Sequence, residues 1–88
     1  MLMKKTFKLV LTKKVLKQLN QMDNSVKLRL IREIQFLPLD PMRAGKPLTD
    51  CLSGLWSLRV GKHRVVYRVL DDSVIVHTVE LRKKVYDK

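Results

Sequence analysis

Acidic residues are scarce in this chain: 8 Asp and Glu stand against 19 Lys and Arg in 88 residues, a formal net charge of +11 at pH 7. That exceeds what solubility requires of so short a domain, and it calls for a polyanionic partner, either nucleic acid or an acidic protein. Both halves of the chain carry the excess, so no detachable basic tail explains it. Cysteine is nearly absent. The single Cys51 excludes an internal disulfide and has no activating base near it in sequence, so it reads as inert. No apolar run approaches the roughly 20 residues of a membrane-spanning helix, and no basic segment followed by an apolar core and cleavage site opens the chain. A cytoplasmic protein with no membrane attachment is the expectation. His, Cys, Asp and Glu do not recur at metal-ligand spacing, so neither a metal nor another cofactor is expected.

What is present suffices for a single domain over residues 1–88, because an apolar content of 45% can fill one core without disulfides. Thr6 to Leu11 alternates as a strand does, with Phe7, Leu9 and Leu11 on one face. Thr12 is placed as the N-cap of a helix whose Val15, Leu16, Leu19 and Met22 face inward. Asn24 and Ser25 offer a cap for a second helix, in which Val26, Leu30, Ile31, Ile34 and Leu37 recur until Pro38 ends it. The outer faces carry Lys13, Lys14, Lys17, Lys27, Arg29 and Arg32. Lys13 to Met22 is basic and amphipathic, yet at about ten residues it reads as cover for a sheet and not as a membrane-surface helix. Pro38 to Thr49 holds all three prolines and Gly45 and reads as an ordered, irregular connection.

Three strands follow, Leu55–Val60, Arg64–Leu70 and Val74–Leu81, with turns at Gly61–His63 and Asp71–Ser73. Their short connections make an antiparallel meander. The fold class expected is α+β in the order β-α-α-β-β-β, with two antiparallel N-terminal helices packed on one face of a small, mainly antiparallel sheet. The other face is left to meet a ligand. Its character is set in LSGLWSLRVGKHRVVYRVL, Leu52 to Leu70. Alternation gives Val65, Tyr67 and Val69 to a core and turns Arg64, Val66 and Arg68 the other way. With Arg59 on the preceding strand, that face presents planar guanidinium donors, each able to hold two phosphate oxygens. Lys46, Lys62, Lys83 and Lys84 extend the set of RNA-binding candidates. Trp56 alternates with apolar Leu58 and Val60 and reads as a core or edge residue, while His63 and His77 read as structural or solvated.

RNA cleavage asks less of a protein than most hydrolyses, since the 2′-hydroxyl is an internal nucleophile beside its phosphate. A base must take its proton, cations must stabilise the pentacovalent phosphate, and an acid should protonate the leaving 5′-oxygen. Tyr86 is the candidate base. A phenol is only about one part in a thousand ionised at pH 7, and neighbouring guanidinium groups such as Arg82 and Arg64 favour the phenolate.

The segment GLWSLRVGKHRVVYRV followed by LRKKVYDK resembles the RelE/ParE toxin superfamily, in which a strand of type lRvGxxRvvY precedes a C-terminal arginine and tyrosine. The preceding strand, helix, helix order fits as well, so the likeness spans nearly the whole chain. It implies the toxin of a type II toxin-antitoxin pair. In RelE-like members it further implies a metal-independent endoribonuclease, an mRNA interferase that cuts mRNA in the ribosomal A site and so inhibits translation. The partners implied are the ribosome, mRNA and an acidic RelB-like antitoxin that wraps the toxin, with operator DNA reached only through the antitoxin. Carried over, Arg64 binds the scissile phosphate, Arg82 stabilises charge or acts as acid, Tyr86 is the base, and Arg59 falls near basic positions of the preceding strand. AGKPLTDCLSGLWSLRVGKHRVVYRV also resembles YoeB-type toxins, which place a catalytic glutamate after GKP. Here Leu48 follows Pro47 and the tail lacks that branch's His-Tyr pair, which leaves the tyrosine-and-arginine route with its parts present.

Plainer roles stand beside these. Arg64 can be a cross-strand partner of Glu80, Arg68 a solvated residue of the sheet face, and Tyr86 a ring packed against the core edge. The alternatives for function are a ParE-like toxin that binds and inhibits DNA gyrase without nuclease activity, and an inactive homologue retained as an antitoxin partner.

Overall fold

The computed structural model describes residues 6–48 and 54–81. Thr12 makes its first joint. The hydroxyl accepts from the Val15 N–H at 3.3 Å, capping α1 (Lys13–Asn20) as its position ahead of the apolar run predicts. It also donates to the His77 carbonyl at 3.4 Å, tying the helix start to the sheet. β1 (Lys8–Leu11) precedes this joint. α2 (Asn24–Phe36) begins one residue earlier than expected: Asp23 is the cap, without a side-chain hydrogen bond, and Asn24 and Ser25 lie inside the first turn. A 3₁₀ turn over Leu37–Leu39, with Pro38 inside it, ends α2.

The connection expected to be irregular holds structure of its own. α3 (Pro41–Ala44) is a single turn, and β2 (Lys46–Pro47) pairs antiparallel with β3 (Leu55–Val60) through Lys46↔Ser57 and Pro47↔Trp56. β4 (His63–Leu70) and β5 (Ser73–Leu81) complete a five-stranded sheet in the order β1-β5-β4-β3-β2. Only the β1–β5 pair is parallel. The α+β architecture is therefore the expected one with an extra edge strand. Between β3 and β4 the turn is two residues, Gly61–Lys62, flanked by the pair Val60↔His63. Gly61 has φ 60°, the left-handed geometry that the first position of a tight hairpin turn demands and glycine supplies. His63 thus belongs to β4 and not to the turn.

The core lies on one face of the sheet. Val15 and Leu19 of α1, Leu30 and Ile34 of α2, and Leu37 cover Val60, Val65, Tyr67, Val74, Val76 and Val79. Each large aliphatic side chain removed from water there contributes about 1.5–3 kcal/mol. Leu16, expected in this core, is instead 48% exposed and lies among Lys13, Lys14 and Lys17. Val15, Leu19 and Met22, at spacings of four and three, form the narrow stripe that packs. Tyr67 is fully buried, donates its hydroxyl to the Pro41 carbonyl at 2.6 Å, and has its pKa pushed up to about 12 by desolvation. Gly45 lets the two sides meet: a Cβ there would stand 2.5 Å from both the Ser57 carbonyl oxygen and the Tyr67 hydroxyl.

One irregularity sets the register of the last strand. Val66 pairs with Thr78 but Tyr67 with Val76, so His77 is an extra residue and β5 bulges. The bulge changes the phase of β5, which packs Val74 and Val76 before it and Val79 after it. β1 ends opposite Val76. Beyond that point Gln18 of α1 takes the role of edge partner, its Oε1 accepting from the Val79 N–H at 2.8 Å and its Nε2 donating to Thr78 Oγ1 at 3.1 Å.

Candidate nucleic-acid interface

Directly paired residues of neighbouring strands share a face, so the register fixes what the sheet presents opposite its core. Three of the rows on that face carry the residues proposed from sequence. The first reads Arg59–Arg64–Glu80 across β3, β4 and β5. The second reads Lys46–Ser57–Val66–Thr78 and begins on β2. The third reads Leu55–Arg68–Ile75. Lys46, Arg59, Arg64 and Arg68, four residues proposed from sequence for phosphate binding, are thereby brought to one surface. Neighbouring rows are two residues apart along β3 and β4, roughly 7 Å. Lys46, Arg59 and Arg64 are exposed and Arg68 is half-buried.

Arg59 and Arg64 are directly opposed. Like charges in that position destabilise a strand pair by about 0.2–1 kcal/mol, a cost that an anion between them removes. Arg64 is also paired on its other side, its Nη2 standing 3.3 Å from Glu80 Oε1. The plainer sequence reading of Arg64 is thus realised in the fold. At 45% and 46% side-chain exposure the pair contributes about 0–1 kcal/mol. It engages one of the five N–H donors of the guanidinium and leaves the rest of the group free to turn toward an anion. Glu80 therefore pairs with Arg64 without consuming it.

Arg68 lies along Gly54, its Nε 3.7 Å from where a Cβ would stand, and that buried nitrogen has no hydrogen-bond partner among the described residues. The same holds for Nε2 of His77 at the bulge. Trp56, opposite Tyr67 and Pro47, packs against the core as expected and adds no stacking platform to the cationic face. Lys62 stands exposed at the tip of the β3–β4 turn, off the rows. Arg82, Lys83, Lys84 and Tyr86 lie outside the described residues, as does Cys51. Among the described residues no three His, Cys, Asp or Glu side chains assemble in one place, and no helix is long and apolar enough to cross a membrane. Sequence reasoning missed the row partner Lys46 gains in β2, because two residues, one of them proline, show no periodicity.

Residues 9–86 match the sequence model of a family described as the ParE toxin of the type II toxin-antitoxin system parDE. Toxin YoeB of Escherichia coli is 34% identical over 65 residues, which cover 73% of this chain and 68% of YoeB. Toxin RelG of Mycobacterium tuberculosis is 38% identical over 52 residues, covering 57% of this chain and 60% of RelG. Among solved structures, the RelBE2 toxin-antitoxin complex of M. tuberculosis contains a chain that superposes with a TM-score of 0.79 at 26% identity, covering 88% of this chain and 99% of that one. The chromosomal ParDE system of Pseudomonas aeruginosa gives 0.77 at 13% identity over 89% and 98%, a likeness of fold. The chain belongs to the ParE toxin family, a toxin of the type II toxin-antitoxin class within the RelE/ParE superfamily.

Proposed function

We propose that this toxin is a ribosome-dependent mRNA endoribonuclease whose scissile phosphate lies on the open face of the sheet, between Arg59 and Arg64. The observation that carries this reading is the direct opposition of those two guanidinium groups on an exposed row. Their planar donors fit the phosphate oxygens two at a time and stabilise the extra negative charge as the 2′-oxygen attacks. Likeness to the toxins YoeB and RelG supports the same reading. The 2′-hydroxyl gives its proton to the Tyr86 phenolate as the 2′-oxygen bonds to phosphorus. The P–O5′ bond then breaks, and Arg82 or water protonates the leaving oxygen. Lys46 and Arg68 hold the flanking phosphates. An acidic RelB-like antitoxin neutralises the toxin, in keeping with the complexes in which its structural relatives are found.

The test is incubation with ribosomes carrying a defined mRNA, followed by mapping of new ends. Wild type cuts in the A-site codon, and Tyr86→Phe does not. Equal cutting by both proteins removes Tyr86 from the mechanism, and no cutting by wild type rejects the nuclease reading. A second reading, inhibition of DNA gyrase, is favoured by the ParE description of the matching family. It predicts loss of supercoiling by purified gyrase and needs no tyrosine.

A further inference from the structure

A second cationic site lies round the corner from the open face, where α2 meets the β3–β4 turn. A groove of about 440 Å³ runs there between Val26, Arg29 and Leu30 of the helix and Val60, Lys62 and His63 of the hairpin. The Arg29 guanidinium is laid over Gly61, with Nη1 3.1 Å and Cζ 3.5 Å from where a Cβ would stand. A turn residue without a side chain thus lets a helix arginine lie against the hairpin tip. The apolar floor offers little for a hydrophobic ligand, because Leu30 and Val60 are only 1% and 6% exposed and already belong to the core. The accessible lining is that of Arg29, Gly61 and Lys62, with half-buried Val26 and His63 beside them. Among the described residues no carboxylate lines the groove and Arg29 forms no ion pair, Glu33 one helical turn away included. The chemistry is that of an anion site. Its place in the chain is informative too: Lys62 and His63 follow Arg59 and precede Arg64 in the hairpin, so the groove starts at the next residue pair, Val60↔His63, about 3.4 Å beyond the Arg59–Arg64 row.

We infer that Arg29, Lys62 and His63 form a second phosphate subsite, which takes the backbone of single-stranded RNA after it leaves the Arg59–Arg64 row and rounds the Gly61 turn. This rests on the nucleic-acid reading of the open face. The groove holds no aromatic ring besides the His63 imidazole, so it grips phosphate and not base, and it adds affinity without sequence preference.

The test uses 2′-O-methyl oligoribonucleotides, which lack the attacking hydroxyl, as fluorescent probes of about 4 and 12 nucleotides, with affinity read against salt. On the longer probe, Arg29→Gln and Lys62→Gln are each expected to lower the slope of log K against log salt by about 0.7, one phosphate's worth for a single strand. Arg29→Lys keeps it. On the shorter probe, which the Arg59–Arg64 row alone accommodates, Arg29→Gln binds as wild type does. An unchanged slope for Arg29→Gln on the long probe, with a reduced one for Arg59→Gln, overturns the second subsite and leaves the open-face reading standing. Wild type that binds neither probe overturns both. If a glutamate decamer perturbs the Arg29 and Lys62 amide resonances while the long RNA probe does not, the groove belongs to an acidic protein and the inference is again overturned.

Discussion

The two faces of β4 differ by one residue's step and serve opposite ends. Val65 and Tyr67 point beneath the helices and lose all contact with water, while Arg64 and Arg59 opposite it stand in solvent as a pair of like charges. On the packed side the Tyr67 hydroxyl meets the Pro41 carbonyl, and the Val79 N–H at the sheet edge meets Gln18. On the cationic side, Arg59 and Arg64 are opposed, and among the described residues Glu80 is the carboxylate paired with Arg64. The lesson is that the stability of this sheet resides on one face and its binding potential on the other, so substitutions can separate them.

The largest separation is expected at Arg59. Arg59→Ala removes half of the opposed pair, and cleavage of mRNA on programmed ribosomes should fall by about 10²-fold or more. Its thermal midpoint should stay within a few degrees of wild type, since exposed side chains away from the core shift stability by about 0.5 kcal/mol or less. Gly45→Ala should do the reverse. Its Cβ meets a backbone oxygen and the Tyr67 hydroxyl at 2.5 Å, and relief requires the β2–β3 edge to move. A loss of about 1–3 kcal/mol in urea unfolding is expected, against little or none for Arg59→Ala.

Tyr67→Phe is a smaller blow to the same face. It strands the Pro41 carbonyl and should cost about 1–3 kcal/mol. The pH dependence carries a sign. The folded phenol titrates at about 12 against an ordinary 10, so the neutral form is favoured by folding. Its contribution is complete below pH 10 and disappears as pH rises toward 12. Wild type should therefore lose stability between pH 10 and 12 more steeply than Tyr67→Phe, and parallel curves would show that this phenol is not the group responsible. Smallest of all is Glu80→Gln. Removing a half-exposed ion pair should change stability by less than about 1 kcal/mol, while freeing Arg64 should strengthen RNA binding at low salt. Weaker binding would show that Glu80 holds Arg64 in its productive place.

Much of this arrangement is legible in the residues. Alternation in RVVYRV assigns the two faces of β4, and Gly61 marks the hairpin turn. Thr12 ahead of Val15 and Leu19 starts α1 where the structure does. Other features escape for physical reasons. β2 is two residues long and contains Pro47, so no periodicity announces it. The bulge at His77 leaves a trace only once the core is known: inward valines 74 and 76 are followed by 79, whereas an unbroken strand would turn Thr78 inward and Val79 outward. Leu16 looks internal because it is leucine, whereas α1 lies over β5 at one side of the sheet and buries only a narrow stripe. The pairing of Arg64 with Glu80 is visible as a possibility and becomes definite only when the strand register is known. The tail residues Arg82 and Tyr86 rest on family resemblance alone.

Arg64 is where the two faces of the sheet meet, being the central cation of the exposed row on the strand whose other side is the core. Wild type and Arg64→Ala, brought to equal folded concentration as judged by their unfolding curves, should be added to ribosomes programmed with one mRNA and the new ends mapped. New ends within the A-site codon for wild type and none for Arg64→Ala are the predicted result. Equal cutting by the two proteins would contradict a phosphate site on this face of the sheet.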